Sequence, residues 1–230
     1  MISDFVYSQP VKIFFGAGKF AGLHDVLSEL GLHRCVVVCG RHFAPKAEEL
    51  VSSMDELCTV FGGVEQNPQL SGVEETVKLA REHGADAIIG IGGGSAIDTA
   101  KFAAAITLDG GDAIEYYRGA RPFPAKRLPV VAVPTTAGTG SEVTQVSVIS
   151  HSTEKKTINN PAFMPLAAIV DPELCMSVPP RTTMNTGLDA LAHALEGFWS
   201  VQHQPICELM TAEAVCLILE VDGQVGQVGL

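Results

Sequence analysis

A run of glycines in the first half of the chain connects a short apolar segment to a helical pattern. Ile88-Ile89-Gly90-Ile91 continues directly as Gly92-Gly93-Gly94-Ser95. Glycines let backbone N–H groups approach an anion at the positive end of a helix, and this arrangement binds pyrophosphates. Ser95 stands where a GxGxxG pattern has its third glycine, so the match is incomplete. The segment indicates phosphate binding, with a helix cap made by Ser95 and Asp98 as the alternative.

A second loop, rich in hydroxyl groups and glycines, follows the apolar run Val130–Val133. It reads Pro134-Thr135-Thr136-Ala137-Gly138-Thr139-Gly140-Ser141-Glu142. Its hydroxyls and amides could reach a ribose, a phosphate or a carboxamide, whereas the alternative is a Ser/Thr turn that bonds its own backbone. Ligands of open α/β sheets bind at the carboxyl ends of the strands. Two such loops after neighbouring strands therefore predict a nucleotide-binding crevice.

The third candidate feature is a carboxylate and an imidazole spaced by four residues, Asp189 and His193. This spacing places both side chains on one face of a helix, about one turn apart. Such a pair could bind a divalent metal, and the alternative is an ordinary pair on a helix surface. The remaining histidines are scattered in polar contexts, and we interpret them as solvated side chains.

Alternating elements are needed to position these loops. Four short apolar runs predict parallel strands buried on both faces: Cys35–Cys39, Leu57–Phe61, Ala87–Ile91 and Val130–Val133. Helical periodicity between them predicts helices over Ser71–His83 and Ser95–Ile106, the first opening with a Ser71-x-x-Glu74 capping box. The expected fold is α/β, with a Rossmann-like parallel sheet.

The pattern changes after Pro179, where two helices follow each other without a strand, over Thr186–Ser200 and Pro205–Glu220. Proline favours the first helical turn and disfavours helix in the residue before it. We therefore expect an α/β domain over residues 1–179 and the beginning of an all-helical domain over residues 180–230. The glycine-containing end, residues 221–230, is predicted to be frayed.

Composition excludes several classes of function. The chain has 230 residues and a formal net charge of −11, which disfavours nucleic acid as a partner. No apolar run approaches the ~20 residues of a membrane helix, and the start lacks the basic residues of a signal peptide. The six cysteines form no CxxC pair and are expected to be buried, reduced thiols. These features predict a cytoplasmic protein that binds neither nucleic acid nor a membrane.

In this order, the motifs resemble those of the iron-containing (group III) alcohol dehydrogenase family. The family patterns GGGSxxDxAK, PTTAGTGSE, DPxL and DAxxHAxE correspond to Gly92–Lys101, Pro134–Glu142, Asp171–Leu174 and Asp189–Glu196. The segment Ile13–Gly18, which is similar to the family's opening strand, and the pair Asn67-Pro68 add to the resemblance, which covers residues 5 to 220. It implies the dehydroquinate synthase-like fold of that family and hydride transfer between a nicotinamide cofactor and a small alcohol or aldehyde.

The resemblance also implies roles for individual residues. Gly94 and Ser95 would hold the pyrophosphate of NAD or NADP, and Asp189 and His193 would be two ligands of a divalent metal, Fe(II) or zinc. The full set of implied cofactor-binding residues is Gly40, Asn67, Gly93, Gly94, Ser95, Thr135, Thr136, Thr139 and Lys155. We also expect a homo-oligomer, because apolar residues of the last two predicted helices, among them Leu191 and Leu209, would form an exposed patch that favours association.

The chain departs from the family pattern at two places. Many members carry an acidic residue after the first nucleotide strand, where this chain has Gly40-Arg41, so we predict that NADP(H) is accepted. The family also has two further histidine ligands, which nothing after His193 matches. We therefore expect a truncated chain. Two hypotheses follow: a metal-dependent oxidoreductase, and a nucleotide-binding fragment that lacks the remaining ligands and does not catalyse.

Overall fold

The computed structural model describes the backbone of residues 4–225 and the side chains of residues 4–220. The strands are β1 (Lys12–Phe15), β2 (Cys35–Gly40), β3 (Leu57–Val64), β4 (Ala87–Gly92), β5 (Val130–Pro134), β6 (Val146–His151), β7 (Glu154–Asn159) and β8 (Ala167–Val170). The α-helices are α1 (Leu23–Leu30), α2 (Ala44–Ser53), α3 (Leu70–Glu82), α4 (Gly94–Ile106), α5 (Ala113–Arg118), α6 (Pro180–Trp199) and α7 (Pro205–Val225). Short 3₁₀ helices cover Lys19–Gly22, Ser141–Val143, Pro161–Phe163 and Pro172–Cys175.

The described residues form two compact units. The sheet unit contains Pro10–Thr136 and Gly140–Ser177. The helical unit contains residues 4–9, Ala137–Thr139 and residues 178–225. The domain division at residue 179 stays our proposal.

The sheet unit is built on a six-stranded sheet in the order β1-β8-β5-β4-β2-β3, and all neighbouring strands are parallel. Strands β2, β3, β4 and β5 each begin at the residue predicted from the apolar runs. The predicted α/β fold with a parallel sheet is therefore confirmed.

Continuous apolar runs arise because helices cover both faces of this sheet. Along β2, Val36 and Val38 pack in a cluster with residues of α3, α4 and α5. The alternate residues Cys35, Val37 and Cys39 pack in the other cluster, with residues of α1 and α2. All five side chains are fully buried.

The six cysteines are free thiols, but they are not uniformly buried. Cys35 and Cys39 lie in the core, and burial raises the pKa of Cys39 to about 11. The expectation of burial was wrong for the other four: Cys58, Cys175 and Cys207 are half-buried, and Cys216 is exposed on α7. For Cys216, the reason is that its apolar neighbours in α7 are themselves largely exposed, with Leu217 at 53% and Leu219 at 54%.

A hairpin of β6 and β7 forms a separate two-stranded antiparallel sheet, which the sequence did not predict. Its second strand, Glu154–Asn159, is mostly polar and mostly exposed, so it has no apolar run to reveal it. The turn between the strands contains Ser152 with φ of 57°. The hairpin attaches to the rest of the unit where the Ser150 N–H donates to the carbonyl of Pro68 at 2.8 Å.

The starts of α3, α4 and α6 differ from the predicted ones, whereas α7 begins at the predicted Pro205. Helix α3 begins at Leu70 with Gln69 as its N-cap, and no side chain caps it, so the Ser71-x-x-Glu74 capping box is absent. Helix α6 begins at Pro180, six residues before the predicted Thr186, because proline is well suited to the first helical turn. Pro179 is therefore the N-cap of α6, and Pro180 is its first residue.

The helical unit packs α6 against α7. At Gly197 a Cβ atom would lie 2.5 Å from Cγ2 of Thr211, so the two helices approach closely there. Helix α7 continues to Val225, so the prediction of a frayed end was wrong for residues 221–225, and residues 226–230 lie outside the described part. Among the described residues, none of the helices is long and apolar enough to cross a membrane.

Asp171 joins the end of β8 to the loop after β1. The buried carboxylate accepts hydrogen bonds from the N–H groups of Gly18 (3.1 Å), Phe20 (2.9 Å) and Glu173 (3.0 Å). These bonds lower the pKa of Asp171, the bond from Phe20 being the largest cause. The aspartate of the DPxL motif thus has a structural role, because it caps two 3₁₀ helices at once.

We expect Asp171→Asn to lower the free energy of unfolding near pH 7, because an amide cannot accept three charge-assisted bonds. A lowered pKa stabilises the folded state above the unfolded carboxyl pKa of about 3.9, and this contribution disappears as pH falls through the folded value. Urea unfolding from pH 7 to pH 3 should show the gap between wild type and variant closing. The control is Asp55→Asn, at an exposed carboxylate. A gap that stays constant to pH 3 would contradict this role.

Candidate functional site

The turn from β4 to α4 presents backbone N–H groups at the carboxyl edge of the sheet. Gly93 is the N-cap of α4, and no side chain caps the helix. The N–H groups of Gly94 and Ser95 have no acceptor among the described residues. A helix start with free N–H groups attracts anions, because the helix dipole adds to the hydrogen bonds.

Glycine is required in this turn by the close approach of α4 to β4. Gly92 has φ of 150°, and a Cβ there would lie 2.8 Å from the Cβ of Ala96. At Gly90 a Cβ would lie 3.0 Å from the Cβ of Ala100. The glycines therefore serve the packing of the helix on its strand.

The alternative of a cap made by Ser95 and Asp98 was wrong. The Ser95 hydroxyl donates to the carbonyl of Gln66 at 2.7 Å, and Asp98 is buried, where it accepts the N–H of Val148 at 2.9 Å. Both side chains are thus engaged away from the helix start, which leaves the first N–H groups of α4 available.

The loop after β5 lies beside the glycine turn. β4 and β5 are neighbours, with Gly92 opposite Pro134, and the N–H of Thr135 donates to the carbonyl of Gly92 at 2.9 Å. A Cβ at Gly93 would lie 3.1 Å from the Thr136 hydroxyl oxygen. The two loops predicted to form a crevice are therefore in direct contact. Thr139 belongs to the segment Ala137–Thr139 of the helical unit.

Asn67 and Lys155 are brought together by the β6–β7 hairpin. Lys155 Nζ donates to Asn67 Oδ1 at 3.2 Å, and both residues are exposed. Gln66, next to Asn67, accepts the Ser95 hydroxyl, so this pair lies near the start of α4. The sequence missed the hairpin, although the resemblance selected both residues.

Gly40 ends β2 at the same edge of the sheet, because Cys39 pairs with Ile91 of β4. A Cβ at Gly40 would meet only the carbonyl oxygen of Val64 at 3.6 Å, an ordinary van der Waals distance. The backbone therefore does not require glycine here. Arg41, the next residue, is exposed.

A buried ion pair that sequence reasoning missed lies behind the crevice. Lys101 Nζ is 3.6 Å from Asp98 Oδ1, and the lysine side chain is fully buried. Burial lowers the pKa of Lys101 to about 8, and burial also raises the pKa of Asp98. A signal was available, because two charged residues stand among the apolar residues of α4, which is nearly all buried.

In the helical unit, Asp189 and His193 lie on one face of α6, as the spacing predicts. Asp189 Oδ2 is 4.0 Å from His193 Nδ1, and both side chains are about half exposed. The described residues contain no group of three or more His, Cys, Asp or Glu that could hold a metal. A catalytic metal site needs about three protein ligands. The residues present therefore supply two donors and do not fit a complete metal centre.

Gly138 contacts α6 within the same unit. A Cβ at this position would lie 2.6 Å from the carbonyl oxygen of Thr186. The second glycine-containing loop thus meets the helix that carries Asp189 three residues after Thr186. Glycine at position 138 is required by this close approach.

Comparison with known proteins identifies the family. Residues 10–172 match the model "Iron-containing alcohol dehydrogenase", and residues 183–225 match the C-terminal model of the same family. The chain belongs to the iron-containing alcohol dehydrogenase family. The resemblance inferred from the motifs is confirmed.

Two curated relatives of this iron-containing alcohol dehydrogenase family member illustrate the match. It is 43% identical over 161 residues to long-chain-alcohol dehydrogenase 1 of Geobacillus thermodenitrificans, an alignment covering 69% of this chain and 41% of that protein. It is 33% identical over 218 residues to NAD-dependent methanol dehydrogenase of Bacillus methanolicus, covering 92% and 57%. The chain thus spans about half the length of these relatives.

A solved structure shows the same fold. Sulfoacetaldehyde reductase from Bifidobacterium kashiwanohense, solved in complex with NAD⁺, superposes with a TM-score of 0.89 at 40% identity. The match covers 94% of this chain and 59% of that one. The family fold expected from the motifs is therefore confirmed for the described residues.

We expect Gly92→Ala to destabilise this family member by about 1–3 kcal/mol, because the residue has a positive φ and its Cβ would press on Ala96. Thermal unfolding measures the effect. Gly110→Ala is the matched control, since a Cβ there has open space, and its effect should stay below about 1 kcal/mol. Equal stability of the two variants would contradict the tight packing of α4 on β4.

Proposed function

We propose that this chain binds a nicotinamide dinucleotide and contributes that site to an oxidoreductase acting on small alcohols or aldehydes. The observation that carries the proposal is the hydrogen bond from Thr135 to Gly92, which joins the hydroxyl loop to the glycine turn. Beside it stand the free N–H groups of Gly94 and Ser95. Family membership supports the reaction class, and the NAD⁺ complex of the reductase supports the cofactor.

Each predicted cofactor residue has a task in this proposal. The N–H groups of Gly94 and Ser95 hold the pyrophosphate, and Gly93 lets it approach the backbone. Lys155, fixed by Asn67, adds a positive charge at the same edge. Thr135, Thr136 and Thr139 supply hydroxyl groups for the ribose and the carboxamide. When bound, the nicotinamide ring accepts or donates the hydride.

Asp189 and His193 are proposed as two ligands of a divalent metal, for which Fe(II) and zinc are both suitable. A third protein ligand is needed before such a metal could act in catalysis. This requirement supports the second candidate function, dinucleotide binding without turnover. The chain's own residues bind and orient the cofactor under either hypothesis.

The test combines cofactor binding with a dehydrogenase assay on the same chain. NADH fluorescence titration measures binding, and NADH formation from 1-propanol or methanol is followed with added Fe(II) under argon, or with zinc. Binding with metal-dependent turnover is expected for the oxidoreductase. The double variant Asp189→Ala/His193→Ala should then lose turnover and keep NADH affinity within about twofold, because the charges removed do not touch the cofactor. Binding without turnover supports the second function, and no binding contradicts both.

We also propose that NADPH is accepted, because Gly40 leaves room for a 2′-phosphate and the exposed Arg41 can pair with it. Arg41→Ala should weaken NADPH binding about tenfold and leave NADH within about twofold, since a charge-assisted pair is lost only with NADPH. Gly40→Asp should favour NADH, and a side chain fits at this position.

Titrations with both dinucleotides measure the preference. Arg118→Ala is the matched control, because Arg118 is an exposed arginine at the end of α5. A wild-type preference for NADH of about tenfold or more would overturn the proposal.

We further propose a homo-oligomer as the working form. Large apolar side chains are exposed in the helical unit, with Trp199 at 69% and Leu209 at 73%. Exposed apolar patches of this kind favour association between protein surfaces.

A further inference from the structure

The ammonium group of Lys101 reaches from the middle of α4 to the segment that follows the hydroxyl loop. Nζ donates to the carbonyl oxygen of Ser141 at 2.9 Å, to the Ser141 hydroxyl at 2.8 Å and to the carbonyl oxygen of Thr144 at 3.1 Å. The lysine side chain has no exposed surface. All of these acceptors belong to the 3₁₀ helix over Ser141–Val143 and the residue after it.

Asp98 holds the same segment from one turn earlier on α4. Its Oδ1 accepts the Ser141 hydroxyl at 2.5 Å, and its Oδ2 accepts the N–H of Val148 at 2.9 Å. The carbonyl of Asp98 accepts the Ser147 hydroxyl at 3.0 Å. Two side chains of α4 therefore hold both ends of the segment from 141 to 148.

Burial of Asp98 and Lys101 destabilises the folded state unless each charge has hydrogen-bonding partners. A buried ammonium or carboxylate strongly destabilises the folded state when it is left without partners. Apolar residues could pack α4 against its neighbours without the desolvation of two charges. They would not, however, fix the orientation of the backbone segment that they contact. Charged hydrogen bonds to specific backbone atoms do fix direction.

The loop after β5 is held at both of its ends by the β4–α4 pair. Thr135 donates to Gly92 before the loop, and Ser141 is held by Asp98 and Lys101 after it. A helix rises about 1.5 Å per residue, so Lys101 lies about 10 Å along α4 from Gly94. At that distance it does not touch a phosphate bound at Gly94, and its action goes through the segment that it holds.

We propose that Asp98 and Lys101 are positioning residues for the dinucleotide. They hold Ser141 and Thr144 in place relative to the start of α4, so that the hydroxyl loop and the N–H groups of Gly94 and Ser95 meet one cofactor in a fixed geometry. This inference rests on the proposed dinucleotide site.

The experiment uses variants that separate positioning from stability. Lys101→Met and Asp98→Asn each leave one buried charge without its partner, whereas the double variant removes both charges together. Breaking a buried pair on one side is more harmful to stability than replacing both partners. The double variant should therefore recover much of the thermal stability lost by the single variants. The double variant still lacks the ammonium that holds Ser141 and Thr144, and its amide at position 98 can accept only one of the two bonds that Asp98 accepts from Ser141 and Val148.

NADH affinity gives the decisive measurement, made at 15 °C on protein shown to be folded by circular dichroism. Positioning predicts that the double variant binds NADH about tenfold more weakly than wild type although its stability has recovered. Hydrogen exchange in the absence of cofactor should be faster at residues 141–148 and unchanged in β4. A purely structural pair predicts that affinity recovers together with stability.

Thr107→Val is the matched control. Thr107 is a buried residue at the opposite end of α4, and its hydroxyl donates only to the carbonyl of Ala103. It should leave NADH affinity within about twofold of wild type.

The possible NADH affinities separate the positioning role of Asp98 and Lys101 from the proposed dinucleotide site. A double variant that binds NADH within about twofold of wild type overturns the positioning role and leaves the proposed function intact. A wild-type chain that binds neither NADH nor NADPH overturns both. If the charge variants do not fold, Ser141→Ala removes the hydroxyl shared by both residues, and about threefold weaker NADH binding is expected. Unchanged affinity in a folded Ser141→Ala overturns the inference.

Discussion

The close packing of α4 on β4 is the constraint on which the rest of the site depends. Gly92 has no room for a Cβ, which would lie 2.8 Å from the Cβ of Ala96, and a Cβ at Gly90 would make a tight contact at 3.0 Å from the Cβ of Ala100. This close packing aims the start of α4 at the carboxyl edge of the sheet, where β5 delivers its own loop beside it. The same helix then holds the segment after that loop through Asp98 and Lys101. One helix thus supplies an uncapped N-terminus and the support for the segment that follows the neighbouring loop.

The sequence predicted the fold where burial leaves a strong pattern. Strands β2 to β5 are covered on both faces, so their apolar runs located them correctly. The β6–β7 hairpin was not found from periodicity, because β7 is mostly polar and mostly exposed. Helix starts were missed for a related reason. Serine is a residue type that often caps helices, which suggested Ser71 and Ser95. In the structure, Gln69 is the N-cap of α3, and the Ser95 hydroxyl donates to the carbonyl of Gln66.

The site was predictable in its residue types and only partly in its connections. Glycine and hydroxyl spacing located both loops, and helical spacing placed Asp189 beside His193. The bond from Lys155 to Asn67 depends on the hairpin and spans 88 positions of the chain, so no local pattern contains it. Asp98 and Lys101 stand out in sequence as two charges among the apolar residues of α4, but the partners that they bind after the loop, Ser141, Thr144 and Val148, are at least 40 positions away and follow no local pattern.

The uneven burial of the cysteines has a practical consequence for spectroscopy. Thiol reagents attack the thiolate, and burial suppresses that form at Cys35 and Cys39 by raising the pKa of both. Cys216 is exposed on α7, in the unit that also contains Trp199, the single tryptophan of the chain. A maleimide dye would therefore label the helical unit first. Trp199 on α6 is thus a fluorescence donor, and Cys216 on α7 is an attachment point for an acceptor dye. Energy transfer between them would report on these two helices, while the core of the sheet unit stays unlabelled.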